Sequence, residues 1–461
     1  MKEMKKISYS LFTLVLLLLG ACSTDSLDPT LSQSRSVEDG IVNVDNLHGI
    51  LKGAHNIMSA AGYYGRDLIV NNEVRSDNCF SNGNSGRFST QAEYLYNENT
   101  DYIWNNAYNL LANVNVIIGA NLSSLDGNQE QGRHIQGQAM VLRALAHYDL
   151  LRVFGQQHTK SGGSLGVPIV TTFNGDDLFP KRSSIDEVKA AIYDDLETAY
   201  GMMDTSFDTS KTIVSKYVAK ALEARVAIYF GDWDRALTAS EVVIDSGMYG
   251  IIGADAFVNS WTGPGTVNVI FELAYSNADN LGPDAISNIY RFPGDAPGGY
   301  GDVQVVSDLI ELYEENDVRR DILGYQDSGT RLRNMKKYPD TATGTDNIPL
   351  FRYEEVILNY AEALFETGGN ALAQLNLITA NRGASAYVTV TKEDILKERR
   401  KELMFEGFRF DDLTRTGMDI EILGSLENSL GKVEYPSNLL AYPIPLSEIN
   451  ANSNVVQNAG Y

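Results

Sequence analysis

Residues 217–244 read YVAKALEARVAIYFGDWDRALTASEVVI, two stretches with apolar residues three and four apart, joined at Gly231-Asp232-Trp233. That spacing places the apolar side chains on one face of a helix, so the segment predicts two helices with a tight turn between them. Residues 356–378, VILNYAEALFETGGNALAQLNLI, repeat the pattern. Gly368 follows Ala361 by seven residues, as Gly231 follows Ala224, and Ala373 stands at the offset that Ala236 occupies in the first copy.

A turn glycine flanked by small residues, where two helices approach closely, is the tetratricopeptide arrangement. Further amphipathic stretches lie near 45–61, 101–122, 131–154, 184–203, 304–315 and 392–414. The predicted fold is mostly α: a tetratricopeptide-like scaffold built from about 45–61, 101–154, 184–246 and 353–417. Between these parts run stretches rich in Gly, Asn, Asp and aromatics, at 62–100, 155–183, 247–303 and 324–350. They exceed ordinary connection lengths, and long ordered loops often carry function. Residues 41–461 are expected to form one globular domain, with ligand loops at about 62–100 and 247–303.

The chain opens with Lys2, Lys5 and Lys6, then a short apolar core from Leu11 to Leu19, the pattern of a signal peptide over 1–21. That core is about half of what a membrane-spanning helix needs. Leu19-Gly20-Ala21-Cys22 resembles the bacterial lipobox, which implies cleavage before Cys22 and acylation of it. Several acyl chains hold a protein stably at a membrane. Residues 22–40 then read as a flexible acylated tether.

The formal charge is −23, and residues 1–21 carry three Lys and one Glu, so the chain from Cys22 onward stands at −25. Such a chain repels nucleic acid and anionic lipid surfaces. Cys79 is left without a partner for a disulfide. His48, His55, His134, His147 and His158 show no metal-ligand spacing, and no GxSxG elbow or phosphate loop is present. No cofactor is expected. Paired acids such as Asp194-Asp195 and Asp411-Asp412 are frequent because acids are frequent. His147, Tyr148 and Asp149 are consecutive on a helix and point apart, so they cannot converge on a substrate. Glu398, Arg399, Glu402, Glu406 and Arg409 are spaced as an i, i+4 lattice that supports a helix.

Several separated stretches resemble one family, SusD/RagB. They are NNEVRSDN (71–78), KRSSIDEVKAAIYDDLETA (181–199), LRALAHYDLLRVFG (142–155), RYEEVILNYAEALFETG (352–368), LKERRKELMFEGFRFDDLTRTG (396–417) and AYPIPLSEINANSNVVQNAGY (441–461). The resemblance implies an outer-membrane lipoprotein of Bacteroidetes that faces outward. It would sit as a hinged lid on a SusC-like TonB-dependent transporter, capturing a glycan, or a peptide in RagB-like members, without catalysis. A surface glycosidase is the alternative from another class.

Sugars present C–H faces that aromatic rings cover and hydroxyls that amide, carboxylate and guanidinium groups satisfy, so loops carrying both are the expected ligand site. Three have that mixture. RSDNCFSNGNSGRF (75–88) offers Arg75, Asp77, Asn78, Phe80, Asn82, Asn84 and Arg87; FVNSWTGPGTVN (257–268) offers Trp261; NIYRFPGDAPGGYGD (288–302) offers Tyr290, Arg291, Phe292 and Tyr300. Asp77 also fits a bracing role, and Trp261 also fits as packing between loop and repeats. Trp104, with Tyr108 four residues on, reads as core, and Trp233 as packing at the repeat turn.

Overall fold

The computed structural model describes residues 40–100, 102–173, 177–291, 299–326, 329, 331–421 and 431–461. Cys22, the signal peptide, nearly all of the tether and Phe292 lie outside them. Residues 43–461 form one compact unit.

Helices α1 (Val44–Ser59), α2 (Asp67–Val74), α3 (Trp104–Gly119), α4 (Gln129–Phe154), α5 (Ile185–Met202), α6 (Lys216–Phe230), α7 (Trp233–Asp245), α8 (Tyr353–Glu366), α9 (Ala371–Ala380), α10 (Lys392–Leu403) and α11 (Arg409–Arg415) make up most of it. The fold is mostly α and tetratricopeptide-like. Helix α1 packs on α3, α3 on α4, α4 on α5, α5 on α6, α6 on α7, α7 on α8 and α8 on α9. Each helix thereby covers the apolar stripe of the previous one, which no helix pair buries alone. Polar boundaries start several of them. Ser184 with Glu187 and Thr391 with Asp394 form reciprocal capping boxes that satisfy orphan backbone N–H groups.

The two repeat turns close as expected: Gly231 and Gly368 both take left-handed backbone, at φ 72° and 81°. Ala224 and Ala361 are fully buried. Ala236 packs with Ala227, Ile228 and Ala363 where the hairpins meet, beside half-buried Trp233. Ala373 does not repeat this role. Helix α9 starts three residues after its glycine, whereas α7 starts two after, so the buried face shifts to Ala371 and Leu375 and Ala373 is exposed. Trp104 lies in the core, 4.8 Å from Tyr108 and edge-on to Phe154.

The loop segments form a second layer with short strands: β1 (Cys79–Ser81), β2 (Val269–Leu273), β3 (Val303–Val305), β4 (Leu323–Gln326), β5 (Arg331–Asn334) and β6 (Ile348–Arg352). They pair antiparallel as β1–β3, β2–β6 and β4–β5. Two expectations are corrected here. Residues 304–315 are no α-helix: β-branched Val303 and Val305 pair with β1, and a 3₁₀ turn follows over Ser307–Leu312. The 392–414 helix breaks between α10 and α11, where Phe405 and Gly407 take φ of 70° and 81°. The Glu73 carboxylate accepts from the Gly407 N–H at 2.8 Å, and a Cβ at Gly407 would stand 3.0 Å from the Ile69 Cα. The glycine thus serves both the turn and the close approach to α2.

Candidate functional site

The charged motifs fold into the interior rather than along a surface. Glu402 takes Arg382 Nη2 and Arg352 Nη1 on one oxygen, at 2.8 and 3.2 Å, and Arg382 Nε and Arg319 Nη1 on the other, at 2.9 and 3.2 Å. Glu354, Glu398, Glu406 and Asp317 complete the anionic side; Lys337 and Lys401 add to the cationic side. The side chains of all these residues are 4% exposed or less. Burial alone would raise Glu402, but the surrounding guanidinium groups hold it well below the usual carboxylate range. The i, i+4 reading of this stretch is corrected accordingly. Arg399 pairs with Asp412 and lies near Glu362, and Arg409 binds Asp77, so the partners belong to other elements. Arg143 and Arg152 likewise reach other elements, meeting Asp195 on α5 and Asp411 on α11.

This hub decides where most of the predicted ligand residues go. Trp261 is 7% exposed; Lys337 Nζ sits 4.4 Å from its ring centroid and the Arg352 guanidinium 5.4 Å, with Tyr338 edge-on. It covers the ion network and offers no free face as a stacking platform. Arg75 is enclosed by Phe410, Tyr442, Tyr96 and Tyr94, with the Phe410 centroid 3.8 Å from its guanidinium carbon. Asp77 accepts two bonds from Arg409, at 2.7 and 2.8 Å, and Arg400 reaches its carbonyl and the Asn78 side chain. These contacts brace the loop, the second role open to Asp77. Asn78 donates to Glu73, Phe80 is buried in β1, Tyr290 packs on Phe405, and Arg291 donates to the Met335 carbonyl. The expectation that these aromatics and amides stand exposed on loops is therefore corrected. Buried arginines need partners, and aromatic faces supply them, so the composition that suggested a sugar platform instead lines an interior cation network.

Asn82, Asn84, Arg87 and Tyr300 do come together near the surface. The Arg87 guanidinium lies 4.4 Å from the centroid of the half-buried Tyr300 ring. Asn84 donates to the Tyr300 carbonyl at 2.8 Å and Asn82 to that of Gly301 at 2.7 Å, tying the 82–88 turn to the strand entering β3. Arg333, itself buried, pins the Gly301 and Val303 carbonyls from beneath. Arg87 reaches Asp284 at 3.3 Å, and Asp284 also holds Arg66 at 2.7 Å. Asp302 accepts from the Ser85 N–H at 3.1 Å. Asp284 and Asp302 stand about two hundred residues from the turn and Arg66 about twenty before it, so no spacing in the sequence ties the three to it. The patch offers a half-exposed aromatic ring with Arg87 over one face, a guanidinium edge and an amide rim, which suits a polyhydroxylated ligand. Its carboxylates serve as counter-ions of the two arginines.

Among the described residues no group of three His, Cys, Asp or Glu side chains could hold a metal ion. No described helix is long and apolar enough to cross a membrane.

Residues 321–461 match the model of the SusD family, and residues 30–228 match a second model described as "Starch-binding associating with outer membrane". SusD-like protein P38 of Formosa agariphila is 25% identical over the full length of both chains. Starch-binding protein SusD of Bacteroides thetaiotaomicron is 37% identical over 131 residues, 27% of this chain and 22% of that protein. The crystal structure of a SusD superfamily protein from B. thetaiotaomicron superposes with a TM-score of 0.83 at 27% identity, covering 90% of this chain and all of the other.

Proposed function

Because the chain belongs to the SusD family, we propose that it captures saccharide chains at the outer membrane without altering them, and passes them to a SusC-like TonB-dependent transporter as its lid. The name of the starch-binding relative and the outer-membrane description of the matched family support the ligand class and the location. Acylation at Cys22 would hold the protein to the membrane through the tether. One structural observation carries the site: Arg87 and Tyr300, distant in sequence, form an accessible cation–aromatic pair on a turn fixed by Asn82, Asn84 and Arg333. A pyranose would lay its C–H face on the Tyr300 ring while Arg87 and the amide rim bind its hydroxyls. Such a site needs no nucleophile.

Tyr300→Ala removes one aromatic contact, about 1–1.5 kcal/mol, so affinity for a captured oligosaccharide should fall roughly tenfold. Arg87→Ala should act in the same direction. Titration calorimetry on the folded variants measures both. Unchanged affinity in both variants would remove this patch from the account. Binding of peptide mixtures in place of saccharides would move the protein to the RagB-like reading.

A further inference from the structure

Beyond the 282–284 turn from Tyr300 lies a second concavity, a cleft of about 640 Å³ walled by residues 262–264, 275–277 and 339–347. The two places are structurally joined. Asp284 holds Arg87 on one side of the turn. On the other side, a Cβ at Gly344 would stand 2.9 Å from Ala285 and 3.3 Å from the Gly282 carbonyl. Ser287 Oγ donates to the Asp340 carbonyl at 2.7 Å. The element they share, Gly282–Asp284, is a single 3₁₀ turn, about 6 Å long.

The cleft is built, not merely open. Buried Glu272 accepts from the Gly265 N–H and from Asn347 Nδ2, both at 2.9 Å, and Asn347 Oδ1 accepts from the Tyr275 N–H at 3.1 Å. One carboxylate and one amide therefore fasten all three walls. Asp340 folds its own loop by accepting from the N–H groups of Ala342, Thr343 and Thr345 and from the Thr345 hydroxyl. Tyr275 donates its hydroxyl to the Ser59 carbonyl, which leaves its ring as part of the wall.

The lining chemistry selects a ligand class. Hydroxyl, amide and carboxylate groups face the cleft together with Tyr275, Pro264 and Pro339, and among the described residues no Lys or Arg lines it. A uronate, sulfate or phosphate would meet Asp340 and Asp346 with no cation to compensate, on a chain that already carries −23. A neutral, hydroxyl-rich chain meets hydrogen-bonding partners and ring faces instead. The volume falls in the range of ordinary small-molecule sites and exceeds what one ring fills.

We propose that this cleft is a second saccharide subsite, joined to Arg87 and Tyr300 through the 282–284 turn, and that the ligand is a neutral glycan chain long enough to occupy both. The inference rests on the saccharide-capture reading above and adds to it the length and charge of the ligand.

The test blocks the cleft without disturbing its frame. Asn277 is exposed on the rim, and Asn277→Cys in a Cys22→Ala chain, modified with a polyethylene-glycol maleimide, fills the space; Cys79 is buried and stays unmodified. Thr262→Cys, treated alike, blocks from the opposite wall. The probes are short and long neutral oligosaccharides of glucose, xylose and mannose, a disaccharide and a heptasaccharide of each. The unmodified chain should bind at least one heptasaccharide roughly tenfold or more tighter than its disaccharide. After modification that gain should vanish while disaccharide affinity stays. If the modified proteins keep the gain and Arg87→Ala abolishes binding, saccharides are captured but not in this cleft, and the inference alone falls. If the unmodified chain binds none of the probes, the inference and the capture reading fall together.

Discussion

Replacing Glu402 by Gln removes one charge from the buried network and leaves the shape of the side chain unchanged. Its two oxygens accept four guanidinium N–H groups, from Arg382, Arg352 and Arg319, and no water-exposed route compensates them. Glutamine retains one oxygen, so two of the four charge-assisted bonds persist; its amide NH₂ then faces N–H donors. Losing two such bonds at about 1.5–3 kcal/mol each gives roughly 3–6 kcal/mol. An uncompensated buried charge independently costs about 3–5 kcal/mol. We expect about 4 kcal/mol. For a unit spanning 43–461, an unfolding entropy of about 2.1 cal/mol/K per residue gives roughly 0.9 kcal/mol/K, so Tm should fall by roughly 5 °C. Differential scanning calorimetry on both proteins, with coincident near- and far-ultraviolet dichroism, reads the shift. A Tm within a degree of the parent would show that the hub does not hold the loop layer to the repeats, and the reasoning that places Trp261 and Arg75 in the interior would lose its anchor.

Trp261→Ala should cost about 3–5 kcal/mol, the range for emptying an aromatic core position, yet leave the saccharide affinity of the folded fraction unchanged; loss of affinity at full stability would restore it as a ligand contact. Burial pushes the Glu73 carboxyl up to about 7, even though Asn78 and the Gly407 N–H favour its charged form. Its folded value exceeds the unfolded one, so its contribution is present below about 4.5 and is lost as pH rises toward 7. His55 and His158, which burial lowers to about 4, act oppositely by making stability fall as pH drops below about 6.5. The difference in unfolding free energy between parent and Glu73→Gln isolates the first effect: it should shrink between pH 4.5 and 7 by on the order of 3 kcal/mol, and a flat difference would contradict the assignment. Cys22→Ala should abolish membrane attachment, checked by fractionation and by labelling with a radioactive fatty acid; continued attachment would refute acylation there.

The helical stack was legible because most helices keep a 3.6-residue apolar period whatever the partner helix is, although α4 is buried on every side from Val141 to Phe154. Even the turn glycines Gly231 and Gly368 could be paired by spacing alone. The loop layer was not legible for a physical reason. Arg319, Arg352, Arg382 and Glu402 have no local pattern that marks them as buried, since the Glu402 carboxylate that joins the three arginines stands 20, 50 and 83 positions from them. Trp261 and Arg75 sit in Gly- and Asn-rich segments that read as exposed, and only the folded hub reveals that they face inward. Of the candidate ligand residues, Asn82 and Tyr300 do stand in one accessible patch, while Arg66, Asp284 and Asp302 join it through contacts that no spacing rule anticipates.

The most direct measurement is titration calorimetry of the purified protein against neutral polysaccharides, their oligosaccharides and peptide mixtures, followed by chromatography of the recovered ligand. Saturable heat is expected with a neutral glycan, weakened by Tyr300→Ala, with the ligand recovered at its original length. Heat with peptides alone, or shortened glycan products, would contradict it.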